Sequence, residues 1–350
     1  MLRKMTGIMT AAALALALAG CSSKNDDSKK TVSYDTDFKT SDSFVLPTAP
    51  PMSEYTYKVM NADTAKINDL TEVVYGSGAY GKGKESTNNM AVEGHDDLPS
   101  VDWYNEAEQI SSHLDAFGSF SFFKGKYSLK YNENEELTPT LSRIVYAEDF
   151  DKKVTLDGKS VAYSTLTLDA QEKIYDCFEA IGASLEVTPL SARDYSDENG
   201  NVIYTAIDYS VKFGTGVMTT ESFYDTGDSA FGASFAAIAY PEIHAYYYNA
   251  DDIQGIWAQN CLIDSVEQGE TIPQAMEPEA ALKAIESEVE GKPSDYTLNH
   301  CQLEYRPVSE NGDKITAQPC WAFYGTDKNG EEMIIAINVK TGKTASHRLD

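Results

Sequence analysis

Only a few stretches of this 350-residue chain carry residue types at spacings that could do chemistry. The first is Gly76-Ser-Gly78-Ala-Tyr-Gly81-Lys82-Gly83, which follows the apolar run Thr71–Tyr75 and contains a formal G-x-G-x-x-G. That spacing lets a strand–turn–helix unit approach a pyrophosphate closely. The context argues against it. Lys84 to Glu93 has no apolar stripe at helical spacing, so no helix N-terminus would face the phosphate. Lys82 is followed by Gly83, where a phosphate-binding loop places a magnesium-holding Ser or Thr. The stretch reads as a glycine loop. His95-Asp96-Asp97 offers three metal-ligand types, but three adjacent side chains diverge, and it reads as a polar loop. Tyr246-Tyr247-Tyr248 suggests a sugar-stacking platform, yet consecutive strand residues point to opposite faces, so the three read as sheet packing.

The remaining candidates are weaker. The five histidines are scattered, with no H-E-x-x-H, and no G-x-S-x-G elbow is present. No catalytic residue, metal ligand or cofactor site is assigned, and an enzyme is not expected. Beyond Cys21 the cysteines are Cys177, Cys261, Cys301 and Cys320, which permit three full pairings that sequence cannot choose between. Cys177 lies on an apolar stripe and reads as a packed thiol.

The chain carries 28 Lys plus Arg against 55 Asp plus Glu, a formal charge of −27. A polyanion of this size is repelled by phosphate backbones and anionic headgroups, so no nucleic-acid partner is expected. Residues 22–31 are polar and aperiodic, and Pro47, Pro50 and Pro51 interrupt regular structure, so residues 21–53 read as a tether.

From there the pattern alternates. Helical spacing predicts helices over 103–117, 169–182 and 278–290, the second opened by Asp169 with Glu172 as a capping box and closed by Gly182. Thr71–Tyr75 and Tyr127–Tyr131 read as strands. Asp157-Gly158, Asn199-Gly200, Asn311-Gly312 and Asn329-Gly330 mark hairpin turns between alternating runs. In Val202–Phe213, Ile203, Thr205, Ile207, Tyr209, Val211 and Phe213 form a core face, and Tyr204, Ala206, Asp208, Ser210 and Lys212 a wetter one. The expected fold is α+β, with antiparallel sheets of hairpins and meanders carrying a few helices. It divides into an N-terminal region at 54–268 and a C-terminal helix-plus-meander module at 269–350. A two-residue turn at Asn311-Gly312 sets Cys301 opposite Ala322, Leu303 opposite Cys320 and Tyr305 opposite Gln318. The two cysteines then share a face as diagonal neighbours roughly 7–8 Å apart and stay unbonded, unless a bulge near Pro307 shifts the register.

The chain opens with Arg3 and Lys4, an apolar run from Ala11 to Ala19, and Leu18-Ala19-Gly20-Cys21. The run is too short to span a bilayer and reads as a signal peptide over 1–20. The four residues ending at Cys21 resemble the lipobox of bacterial lipoproteins. That resemblance implies cleavage before Cys21, lipidation of its thiol, and anchorage by the lipid to the extracytoplasmic face of the cell membrane.

Residues 278–340 resemble the small helix-plus-sheet modules of the PepSY kind and the regulatory lipoprotein-like partners of cell-wall two-component kinases. The carrying residues are Ala281-Leu282-Ile285, Leu303-Glu-Tyr-Arg-Pro307, Pro319-Cys-Trp321 and Ile337-Asn338-Val339-Lys-Thr-Gly342-Lys343. The resemblance implies inhibition or regulation at the cell surface and carries over no catalytic residue. The expected function is therefore a non-catalytic binding or regulatory lipoprotein with an envelope protein as partner. A solute-binding lipoprotein of a transporter is the alternative, and an envelope hydrolase ranks behind both.

Overall fold

Alternating apolar residues and repeated Gly-containing turns make strand the commonest element among the described residues. The computed structural model describes residues 34–59, 62–90, 98–116, 118–125, 139–183, 185–219, 241–259, 263–289, 291–311 and 314–348. Cys21 and its leader, His95-Asp96-Asp97, the strand expected at 127–131 and Cys261 lie outside the described residues. The strands are β1 (Lys39–Thr40), β2 (Ser53–Val59), β3 (Lys84–Met90), β4 (Leu98–Asn105), β5 (Ile110–Asp115), β6 (Phe120–Lys124), β7 (Thr140–Tyr146), β8 (Lys153–Leu156), β9 (Lys159–Ala162) and β10 (Val187–Ser196). They continue as β11 (Val202–Phe213), β12 (Gly216–Met218), β13 (Glu242–Tyr247), β14 (Gly255–Gln259), β15 (Ile263–Thr271), β16 (Thr297–Asn311), β17 (Lys314–Thr326), β18 (Glu332–Asn338) and β19 (Thr344–Arg348). The α-helices are α1 (Ile67–Tyr75), α2 (Tyr163–Ala180) and α3 (Pro278–Ile285).

The architecture is α+β. One antiparallel sheet runs β3-β4-β5-β6-β14-β13-β11-β10-β7. A second centres on β17, with β16 on one side and both β2 and β18 on the other. Its outer members are β15 on β2, β19 on β18, and the short parallel strands β1 and β12 on β16. The end of β11 turns into β12, which joins the two sheets. Asp35–Asp350 form one compact unit.

Helix α2 covers one face of the first sheet. Its buried stripe is Tyr163, Leu166, Thr167, Ala170, Ile174, Cys177 and Phe178. Two sheet tyrosines anchor it: Tyr209 Oη donates to the Thr167 carbonyl at 2.6 Å, and Tyr247 Oη to the Leu166 carbonyl at 2.8 Å. Gly182, at φ +81°, closes the helix, with the Ala183 N–H on the Phe178 carbonyl at 2.8 Å.

Several expectations are corrected. The helix expected over 103–117 is the β4–β5 hairpin. Asn105 Oδ1 accepts from the Ala107 and Glu108 N–H groups at 3.1 and 3.2 Å, Gln109 turns back at φ +54°, and Ala107 is exposed. The helical stripe was a coincidence laid across this Asx turn. Thr71–Tyr75 is helix, because Ile67, Leu70, Thr71 and Val74 make a buried stripe at helical spacing. Helix α2 begins at Tyr163, six residues before the expected cap, because Leu166 and Tyr163 continue its stripe. Asp169 therefore sits inside the helix and accepts from Tyr247 Oη at 2.8 Å. Helix α3 ends at Ile285 rather than 290.

The β16–β17 register also differs. Asn311 pairs with Lys314, which shifts the pairing by two from the register an Asn311-Gly312 turn would set, and a bulge between Pro307 and Ser309 takes one back. The net slip is one residue. Cys301 faces Phe323, Leu303 faces Trp321, Tyr305 faces Pro319 and Cys320 faces Glu304. A one-residue slip exchanges faces, so Cys301 and Cys320 lie on opposite sides of the sheet. Both are free thiols, as is Cys177. Pro319 falls where β17 changes neighbour from β2 to β18, so its missing N–H breaks no ladder.

Candidate functional site

The face of the first sheet opposite α2 is concave and encloses a groove of about 620 Å³. Strand register builds it. Asp208 on β11 faces Ser191 on β10 and His244 on β13, and His244 faces Trp257 on β14, which faces Ser121 on β6. Two residues along, Arg193, Ala206, Tyr246, Gly255 and Phe123 form the next transverse row. Tyr195 and Tyr204 form the row beyond. Gly255 is required there, because a Cβ would fall 2.4 Å from the Phe123 ring.

The polar centre is an ion cluster. Asp208 Oδ1 meets His244 Nδ1 at 2.8 Å, and Oδ2 meets Arg193 Nε at 2.8 Å and accepts from Ser191 Oγ at 2.5 Å. His244 Nε2 lies 3.7 Å from Glu242 Oε2. Burial works against charge on His244, but the hydrogen bonds and charges of Asp208 and Glu242 outweigh it and raise its pKa to about 9. Burial likewise opposes charge on Asp208, and the Arg193 and His244 cations hold its carboxyl below the ordinary range. Glu332 on β18 is close enough to feel Arg193, yet burial dominates and pushes its carboxyl up to about 7.

Aromatic rings fill the rest. Tyr195 and Tyr204 stack at 4.5 Å and 13°, and His244 lies flat on Trp257 at 5.4 Å and 10°. Tyr248 is 5.2 Å from Tyr204, and Phe123 is 5.9 Å from Tyr246.

A general base needs a neutral imidazole nitrogen, and the carboxylates beside His244 favour its charged form. His113 and His300 each meet a carboxylate oxygen through Nδ1, Asp102 at 2.8 Å and Glu148 at 2.9 Å. The thiols of Cys177, Cys301 and Cys320 are buried, and burial pushes all three up, away from thiolate reactivity. A second ionic cluster, Arg306 Nη2 on Glu304 Oε2 at 2.7 Å, is sealed at 1 % exposure for both side chains.

The glycine loop is structural. Glu72 Oε1 accepts the Tyr80 N–H at 3.0 Å and Oε2 accepts the Gly78 N–H, so a carboxylate of the chain itself occupies the position a phosphate would take. Gly83 lets Trp103 pack against the loop, since a Cβ would stand 2.3 Å from its ring. Tyr247 is buried in the core, whereas Tyr246 and Tyr248 lie on the opposite face of the sheet and line the groove, so the three do not form one platform. Arg193, Asp208, His244 and Trp257 had no motif to mark them. The wetter face of β11, where Tyr204, Ala206 and Asp208 alternate, pointed at Asp208 alone.

A crystal structure of an uncharacterised protein from Eubacterium rectale superposes with a TM-score of 0.57 at 12 % identity, over 88 % of this chain and 89 % of that one. At this identity the likeness concerns the fold alone. The C-terminal domain of YpeB from Bacillus megaterium superposes at 0.41 with 11 % identity, over 83 % of this chain and 99 % of that one, too loosely to bear on fold or function. No protein-family model and no curated protein matches the chain.

Proposed function

We propose that the protein is a lipid-anchored, extracytoplasmic lipoprotein that acts as a non-catalytic binding or regulatory module of the bacterial envelope, with the aromatic groove as its binding site. The observation that carries this reading is the ion cluster on the groove floor. His244 is bracketed by Asp208 and Glu242, 2.8 and 3.7 Å from its two ring nitrogens, so the most chemically capable side chain in the groove is tied into the cluster. Aromatic walls around a few fixed polar groups are the makeup of a ligand pocket. The lipobox resemblance supplies the address, and the PepSY-like resemblance of residues 278–340 supplies the association with regulation at the cell surface.

The test is retention of the full-length lipidated protein, kept in detergent, on cell envelopes whose lipids have been extracted. The Trp257→Ala, Tyr248→Ala double variant should bind several-fold less while melting normally. Equal retention of that variant, or reproducible turnover of an envelope component that His244→Gln abolishes, would overturn the proposal.

A further inference from the structure

We infer that the groove is a carbohydrate site for an uncharged polysaccharide; this deepens the binding reading above, on which it rests, by naming the ligand class. Three observations carry it.

The first is charge. Arg193 and His244 are balanced by Asp208 and Glu242 within the cluster, on a chain of formal charge −27. An anionic polymer is repelled by the molecule as a whole. A cation would have to compete with Arg193 and His244 for carboxylates they already hold. A neutral ligand meets neither cost.

The second is the layout of the rings. Tyr195, Tyr204, Tyr246, Tyr248, Trp257 and Phe123 come from neighbouring strands, and adjacent strands lie ~4.8 Å apart. They form a run across the sheet, longer than a clamp for one small molecule. Aromatic faces carry negative charge density, and the C–H faces of pyranose rings present the complementary edge.

The third is the backbone. β6, β14, β13, β11 and β10 each have a strand on both sides, so their ladders are occupied. An extended peptide gains affinity by adding to an open edge. Laid across this face, it would find no backbone ladder for its own amides. A glycan needs none.

The test uses the full-length lipidated protein in detergent. The probes are an uncharged β-glucan and an N-acetylglucosamine oligomer series, with polygalacturonate and a proline-rich peptide as comparators. Two readouts are used: electrophoretic retardation in gels containing each polymer, and intrinsic fluorescence. Trp103 and Trp321 are 1 % and 0 % exposed, so Trp257 is the reporter. At least one neutral glycan should retard the protein and shift its emission, and Trp257→Ala and Tyr248→Ala should each weaken retardation by about tenfold. Glycan binding that both variants leave intact would overturn the site. Binding of the peptide or of polygalacturonate alone would overturn the ligand class. If no probe binds while envelope retention still depends on Trp257 and Tyr248, the carbohydrate inference fails and the binding reading stands.

Discussion

At the scale of single residues, the groove ions tie stability to pH. His244 titrates at about 9 in the fold against an ordinary 6.5, so its contribution is complete below about 6.5 and lost as pH rises through 9. Glu332 titrates at about 7 against an ordinary 4.5, so the fold loses stability as that carboxyl ionises between those values. Asp208 works in the other direction, because its lowered pKa gives stability that disappears as acid protonates it. Stability should therefore peak near pH 5 and fall toward pH 9. Denaturant midpoints across that range check it: Glu332→Gln should flatten the lower half of the decline and His244→Gln the upper half. A midpoint that rises from pH 5 to 9 would contradict both assignments. Removing the shared anion should be costly at neutral pH. Asp208→Asn leaves Arg193 and His244 without their buried partner and should destabilise by roughly 3–5 kcal/mol, lowering the His244 pKa in a proton NMR titration.

At the scale of elements, close approach and register decide what the chain tolerates. Gly83 has an ordinary backbone conformation, so the constraint there is steric: its Cα faces the Trp103 indole, whose Nε1 donates to the Tyr80 carbonyl at 3.0 Å. Gly83→Ala should cost about 1–3 kcal/mol, read as a lower melting temperature, while Gly81→Ala, with open space around it, should cost less. The β16–β17 register makes a separate prediction. Gln302 faces Ala322, so the Gln302→Cys, Ala322→Cys pair should oxidise to a disulfide that peptide mapping detects. Ala322→Cys alone should not bond Cys301, as the simple two-residue turn would require. The hairpins were legible because Asn-Gly and Asp-Gly turns report on themselves; Asp157 and Gly158 do sit at φ +46° and +75°, with Leu156 facing Lys159. The β4–β5 hairpin was not, because its turn depends on the Asn105 side chain and a left-handed Gln109, neither of which leaves a motif. The groove was half legible: β11 alternation named one of its walls, but only pairing between distant strands brings His244 and Trp257 to Asp208.

At the scale of the whole molecule, the question is what holds the protein in place. No helix among the described residues is long and apolar enough to cross a membrane. The formal charge of −27 opposes adsorption to anionic headgroups. In the proposed reading, attachment rests on the lipobox-like Leu18-Ala19-Gly20-Cys21. One acyl chain binds a bilayer marginally and two or more bind it stably, so a thiol-linked lipid on Cys21 would be the decisive anchor. Asp35–Asp350 form a compact unit of their own. Loss of the anchor should therefore leave folding and groove binding unchanged. In a bacterial host, wild-type protein should partition into the detergent phase, and Cys21→Ala should be released or remain unprocessed with its leader attached. The melting temperature and ligand affinity of the two proteins should agree. Mature Cys21→Ala protein that still enters the detergent phase would show that something other than Cys21 holds the chain to the membrane.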